Sequence, residues 1–279
     1  MKEEPVKEEA MNVSLLLCTY IKDNPQHLKQ SLESINAQTT LPVQLIIVKD
    51  GPLTEALEGV INSFTFANEV TIVALPQNKT LGLARAAGVI AAKHMWVALM
   101  DSDDMCLPDR LQKQVEMLTN NPDLGIIGGQ IMEYDDIPGQ ALSVRSVPTD
   151  HEAICKYARR RNPFNAMTVM FNRKKAIEAG NFRLLSGFED YDLWARMMAK
   201  GAMCANHPDV LVHARIGNGL YARRKGLCYI RSELRMQQIL YRLKIISKFD
   251  YIRNIITRIP VRLLPHAGLA AVYKRFARK

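Results

Sequence analysis

Apolar and polar positions along this chain follow two rhythms. Four compact apolar runs, VSLLLC (13–18), VQLIIV (43–48), VTIVAL (70–75) and MWVALM (95–100), have strand length and β-branched content. Between them, HLKQSLESINAQ (27–38) sets Leu28, Leu32 and Ile35 on one helical face. LGLARAAGVIAAKH (81–94) is Ala-rich with an apolar face of its own. Strands alternating with helices predict right-handed βαβ units around a mostly parallel sheet. Ligands of such sheets bind beyond the carboxyl ends of the strands. Here CTY, KDGP, PQNKT and DSDD follow the four runs in turn, so four polar clusters are expected on one rim.

Further along, DRLQKQVEMLTNN (109–121) reads as a helix and LGIIGGQIMEY (124–134) as a strand. A loop-rich middle follows, including RRRNPFNAMTVMF (159–171). GFEDYDLWARMMAKG (187–201) is then a helix between two glycines, with Trp194 and Met197 on its inward face. Near residue 213 the composition shifts. LRMQQILYRLKIISKF (234–249) and YIRNIITRIPVRLL (251–264) set apolar residues at helical spacing against Arg and Lys. At the other end, residues 1–11 are charged, lack the apolar stretch of a signal peptide, and are expected to be a disordered extension. No apolar run approaches the ~20 residues of a membrane span.

The 279 residues suffice for one large domain or a domain with an appendage. The net charge of +9 conceals a split. Residues 1–212 hold 21 Lys/Arg against 26 Asp/Glu, net −5, and residues 213–279 hold 16 against 2, net +14. A basic tail on an acidic body implies an anionic partner: a membrane surface, a diphosphate or a nucleic acid. Five cysteines without a CxxC pair suit reduced thiols in a cytoplasmic setting, not a disulfide framework. The six histidines show neither HxxxH nor HExxH spacing, which argues against zinc. GxGxxG and GxxxxGK[ST] are both missing, which argues against a Rossmann dehydrogenase or a P-loop kinase.

The candidate chemistry begins at WVALMDSDDM (96–105), where an apolar run ends in Asp101, Asp103 and Asp104. Alternate residues of an extended chain point the same way, so Asp101 and Asp103 would converge. Grouped hard oxygens suit Mg²⁺ or Mn²⁺, which would also relieve their repulsion. The alternative is a strand-to-helix loop in which Asp103 or Asp104 caps the helix beginning near Pro108. Asp190 has a similar ambiguity, because acids in the first turn of a helix favour its dipole whether or not they do chemistry.

Taken in order, CTYIKDNPQHLKQSLESINAQT, IIVKDG, NKTLGLARAAG, ALMDSDD and FEDYDLWARM resemble the family 2 inverting glycosyltransferases, from about Val13 to Gly219. RRNPFNAMTVMF and ARIGNGLYARR resemble, more narrowly, the branch that builds bacterial surface polysaccharides, of amylovoran or O-antigen type. The resemblance implies an α/β, GT-A-type fold over residues 12–219, with a mostly parallel central sheet flanked by helices. Residues 220–279 would be a basic, amphipathic helical region. It implies a nucleotide-sugar donor, UDP-linked by preference, and a β-linked product formed by inversion. Carried over residue by residue, Thr19 and Tyr20 would flank the base, Asp50 would accept a hydrogen bond from it, and Asn78 and Arg85 would lie near base or diphosphate. Asp101 would hold ribose or sugar hydroxyls, Asp103 would be the principal metal ligand, and Asp104 would support either. Asp190 would be the general base, with Glu189 beside it on the acceptor side. Arg215 and the Arg223–Arg224 pair would close over the diphosphate or meet an anionic acceptor. His213 stands where the chain should return to the site and is a further candidate metal ligand. The sequence departs from the family pattern at Ile21, Lys49, Ala166 and Gly217; the last two bear on acceptor contacts and the full metal shell.

The tail then has two readings: it lies on an anionic leaflet, or it packs on the body with a solvated basic face. The first suits a lipid-diphosphate-linked saccharide acceptor and a protein peripheral to the inner face of the cytoplasmic membrane. Two rivals lie outside the family. An aspartyl phosphatase would resemble DxDxT, where this chain has Met105 at the Thr position. A nucleic-acid binder would use the tail, yet the positive charge is confined to one end and no binding module is visible, so no nucleic-acid partner is expected.

Overall fold

The computed structural model of the protein describes residues 12–135, 141–216 and 226–263. The expected extension at residues 1–11, Gly217, the Arg223–Arg224 pair and residues 264–279 lie outside them. Nine strands form one sheet: β1 Val13–Thr19, β2 Gln44–Lys49, β3 Glu69–Ala74, β4 Trp96–Asp101, β5 Met105–Cys106, β6 Leu124–Tyr134, β7 Ala141–Arg145, β8 Met170–Asn172 and β9 Met203–Arg215. Their order is β3-β2-β1-β4-β8-β6-β9-β5, with β7 paired to β6 off this path. The first four strands are parallel, as are β6 and β9, while β8, β5 and β7 pair antiparallel. The nine α-helices among the described residues are α1 Pro25–Asn36, α2 Glu55–Ser63, α3 Leu81–Ala91, α4 Arg110–Asn120, α5 His151–Ala158, α6 Arg173–Glu178, α7 Glu189–Ala199, α8 Gly226–Arg242 and α9 Lys248–Leu263.

β1, β2 and β4 read as unbroken apolar runs because both of their faces are covered. Leu15, Leu17, Leu45 and Ile47 face Leu28, Leu32 and Ile35 of α1. Leu16, Ile46, Val48 and Leu99 face Ala84 and Val89 of α3 and Trp194 of α7. At the sheet edge, β3 leaves Val70 and Ile72 exposed. Local chemistry sets the element ends. Asn24 caps α1 through Gln26 N–H with Pro25 in the first turn, and Thr54 caps α2 through Leu57 N–H. α3 stops at Ala91, short of the expected residue 94, because Ala92 turns extended and Lys93 N–H is taken by Gln44 Oε1 at 3.0 Å.

The tail breaks elsewhere than its pattern suggested. α8 ends in a left-handed Lys244, and α9 starts at a Ser247–Asp250 box in which each side chain accepts the other's backbone N–H. The two helices pack on α7: Met236, Leu240 and Ile246 close a third core with Leu185, Phe188, Tyr191 and Ala195. Glu233, buried in α8, is held by Arg258 at 3.0 Å and Arg262 at 3.0 Å from α9. The packing is that of the second reading of the tail, but the outer face of α9 remains bare, with Phe249, Ile252 and Ile256 exposed by 74%, 47% and 65%.

Candidate active site

In register, Cys18 lies beside Val48 on one side and Asp101 on the other, so the carboxyl ends of β1, β2 and β4 form one rim. Asp101 Oδ1 accepts Arg85 Nη2 at 2.6 Å. Arg85 is only 3% exposed. Burial works against its charge, but Asp101, then Glu189, Asp190 and Cys18, more than offset this and hold it protonated. One buried guanidinium of α3 is therefore bonded to the acid at the end of β4 and lies in the field of the acids that open α7. Gly82 makes the approach possible, since a Cβ there would stand 2.6 Å from Arg183 O and 3.0 Å from Glu189 Cβ.

At the start of α7, Asp190 is half-buried with both oxygens engaged. Oδ2 accepts Asn162 Nδ2 at 2.8 Å and Oδ1 accepts Tyr191 N–H at 2.7 Å. Asn162 Oδ1 accepts Phe164 N–H at 3.2 Å, which fixes the amide so that its NH₂ faces Asp190. Beside it, burial and then the charge of Asp190 push the Glu189 carboxyl up, with Arg85 opposing. Carboxylates with two accepted hydrogen bonds still have lone pairs to spare, so Asp190 retains capacity to take a proton.

The acidic loop departs from the extended geometry expected of it. Asp104 N–H reaches back to Asp101 O at 3.4 Å, making a turn, so Asp101 and Asp103 are not simple alternate residues of a strand. Neither Asp103 nor Asp104 caps α4, whose cap position is Asp109. Asp103 is exposed, whereas Asp104 is 2% exposed and accepts Arg215 N–H on Oδ1 at 2.8 Å. Burial first, then the charges of Asp103 and Asp101, raise the Asp104 carboxyl well above its ordinary range. Arg215, at the end of β9, donates to Asp103 O at 3.3 Å and Gln30 Oε1 at 2.9 Å, with its guanidinium 4.9 Å from the centre of the Tyr134 ring. His213 pairs with Met105 across β5 and β9, and burial lowers its pKa.

A second group lies along the same rim. Asp50 is buried; Oδ2 accepts Asn78 Nδ2 at 2.9 Å and Oδ1 accepts Lys79 N–H at 2.6 Å. Thr19 Oγ1 at 3.0 Å, Tyr20 N–H at 3.2 Å and Ser102 Oγ at 2.7 Å all donate to Asp23 Oδ2. Asp23 thus clamps the end of β1 to the acidic loop. Its role was missed, as was that of Asn162. Asp23 had a weak local signal, an Asp four residues beyond Thr19 in a turn; Asn162 had only its position before a proline.

The donor set suits a hard divalent ion. Among the described residues no three His, Cys, Asp or Glu side chains gather into a metal cage. Mg²⁺ and Mn²⁺ need none when one or two carboxylates share the ion with substrate phosphates. Exposed Asp103 beside partly exposed Asp101 offers such an open arrangement.

Residues 14–185 match the model for glycosyl transferase family 2. The chain belongs to that family. This glycosyltransferase is 36% identical to the amylovoran biosynthesis glycosyltransferase AmsE of Erwinia amylovora, over 94% of this chain and 98% of the relative. It is 34% identical to the UDP-Gal:alpha-D-GlcNAc-diphosphoundecaprenol beta-1,3-galactosyltransferase of Escherichia coli, over 98% and 99% of the two chains. Its fold is also that of the mannosyltransferase PcManGT from Pyrobaculum calidifontis, solved with GDP-Man and Mn²⁺. The TM-score is 0.66 at 18% identity, with 94% of this chain and 75% of that chain covered. The expected GT-A-type α/β fold is therefore the fold of the glycosyltransferase.

Proposed function

We propose that the glycosyltransferase is an inverting hexosyltransferase using a UDP-sugar, and that its acceptor is a saccharide carried on a lipid diphosphate during surface polysaccharide (O-antigen or exopolysaccharide) synthesis. The two named relatives support the polysaccharide setting, and the second supports the lipid diphosphate. The observation that carries the mechanism is Arg85, which donates to Asp101 Oδ1 at 2.6 Å from a helix that closes on Glu189, at the start of α7, through Gly82. Donor rim and base-bearing helix are thereby held against each other.

In this reading Thr19, Tyr20, Asp50 and Asn78 form the nucleoside end of the donor site, and Asp101 with Arg85 the ribose and sugar end. Asp103, with Asp101 and Asp104 behind it and His213 as a further candidate, would hold Mn²⁺ or Mg²⁺, which supplies Lewis-acid stabilisation of the departing diphosphate. Arg215 adds a fixed positive charge on the same side, where negative charge grows in the transition state. The acceptor oxygen bonds to the anomeric carbon as the bond from that carbon to the phosphate oxygen breaks, and its electron pair leaves with UDP. Asp190, oriented by Asn162, takes the acceptor's proton. A single displacement inverts the centre, so an α-linked donor gives a β-linkage.

Residues 12–219 would be the catalytic domain. Residues 220–279 would dock it on the anionic inner face of the cytoplasmic membrane, the bare row of α9 supporting this assignment. The test is Asp190→Asn with a UDP-sugar panel and Mn²⁺. Transfer is expected to fall by about 10²–10⁴-fold, the usual contribution of a general base, while thermal stabilisation by the donor persists. Turnover near that of the unsubstituted enzyme ends the assignment.

A further inference from the structure

The turn between α8 and α9 lines an open surface cavity of about 620 Å³ whose walls include Arg159, Arg242, Lys244, Ser247 and Asp250. Asp250 is already matched, by Arg253 at 2.9 Å and by Ser247 Oγ at 2.9 Å. Among the described residues none of the three cations forms a salt bridge. The carboxyl end of α8 and the amino end of α9 meet here with opposed dipoles, which offset one another, so the side chains set the field. That field is positive.

Lys244 adds a second, independent sign. Its φ of +59° is left-handed, at the position where a helix ends in a Schellman motif. Ile245 N–H reaches Leu240 O at 3.0 Å and Lys244 N–H reaches Tyr241 O at 3.0 Å. Glycine is the residue this geometry favours, because a Cβ in the left-handed region crowds the following carbonyl oxygen. A lysine in such a place, lining the cavity, directs attention to what the charge does. Beside the cavity begins the apolar row of Phe249, Ile252 and Ile256, on one face of α9. On the other side Arg159 stands three residues before Asn162, the partner of Asp190, within a stretch that spans at most ~11 Å.

Resting on the lipid-linked acceptor proposed above, we propose that this cavity seats the acceptor's lipid diphosphate. Arg159, Arg242 and Lys244 meet the phosphates, the lipid chain lies along Phe249, Ile252 and Ile256, and the saccharide reaches past Asn162 to Asp190.

The test compares binding of farnesyl diphosphate, inorganic diphosphate and farnesol to the full chain and to an Arg242→Gln/Lys244→Gly variant. Farnesyl diphosphate should bind the unsubstituted protein more tightly than either fragment. The double variant should lose about 10- to 30-fold in that affinity, at roughly 1 kcal/mol per basic contact. Lys244→Gly alone should keep or raise Tm while weakening binding, which separates lost charge from lost fold. UDP-sugar stabilisation should persist in every variant. Unchanged farnesyl diphosphate affinity in the double variant overturns the assignment, as does equal affinity for inorganic diphosphate, which would mark a free-anion site. If no UDP-sugar stabilises even the unsubstituted protein, the UDP-donor reading fails and the farnesyl diphosphate comparison alone decides this one; if donors bind and the cavity variants leave farnesyl diphosphate affinity unchanged, this one fails alone.

Discussion

At the scale of single residues, the site is defined by charges that the fold forces together. Asp104 is buried beside Asp103 and Asp101, and its carboxyl is raised well above its ordinary value of 3.8. A carboxyl raised in the folded state stabilises the fold below its unfolded pKa, and that contribution is lost as pH rises through the folded pKa. Asp104→Asn removes this loss and keeps an oxygen for Arg215 N–H. The variant's advantage in Tm over the unsubstituted protein, measured without metal, should therefore be smallest near pH 4 and grow as pH rises towards neutrality. A difference independent of pH would show that Asp104 carries no such strain. The identity of these acids was legible in the sequence, because an apolar run ending in DSDD is a local pattern. Their partners were not. Asp23 meets Ser102, and Asn162 meets Asp190, only after strands and helices between them have packed, and no periodicity encodes such pairs.

At the scale of elements, legibility followed burial. β1, β2 and β4 could be read because both their faces are covered, and α1, α3, α4 and α7 because one apolar face recurs at helical spacing. α2 went unread between two strands, although Leu57 and Ile61 give it an apolar face. β9, the longest strand, was hidden by Asn206, His207, Pro208 and Asp209. There the register with β6 shifts between Gly129 and Gln130, which breaks alternation and accommodates a proline. The contact of α3 with α7 has the greatest consequence for function, and it depends on a missing side chain. Gly82→Ala would drive a methyl against Arg183 O, a backbone atom that cannot swing aside. We expect a cost of about 1–3 kcal/mol by denaturant unfolding. Transfer should fall further than stability explains, because Arg85 moves away from Glu189 and Asp190. Full transfer rate in a folded Gly82→Ala protein would separate Arg85 from the chemistry.

At the scale of the whole molecule, the charge split and the bare face of α9 act together. Among the described residues no helix is long and apolar enough to cross a membrane, and the association proposed above would be made by the surface. Residues 213–279 carry a net +14 against −5 for the rest, and each basic residue near an anionic leaflet contributes ~1 kcal/mol. Electrostatics alone is screened within ~8 Å at physiological salt, so in the proposed docking it would steer the tail to the leaflet and hold it weakly. The row of Phe249, Ile252 and Ile256 supplies what salt does not remove, at up to ~1.5–3 kcal/mol for each side chain fully buried. Co-sedimentation with vesicles should accordingly require anionic lipid, weaken with salt, and fall at least tenfold in Phe249→Ser/Ile256→Ser, with UDP-sugar stabilisation retained. Both positions are solvent-facing, so the substitutions leave the Glu233 cluster and the packing on α7 intact. Equal pelleting of the two proteins would assign the row to another partner. Equal pelleting on neutral and anionic vesicles would remove the charge from the argument altogether.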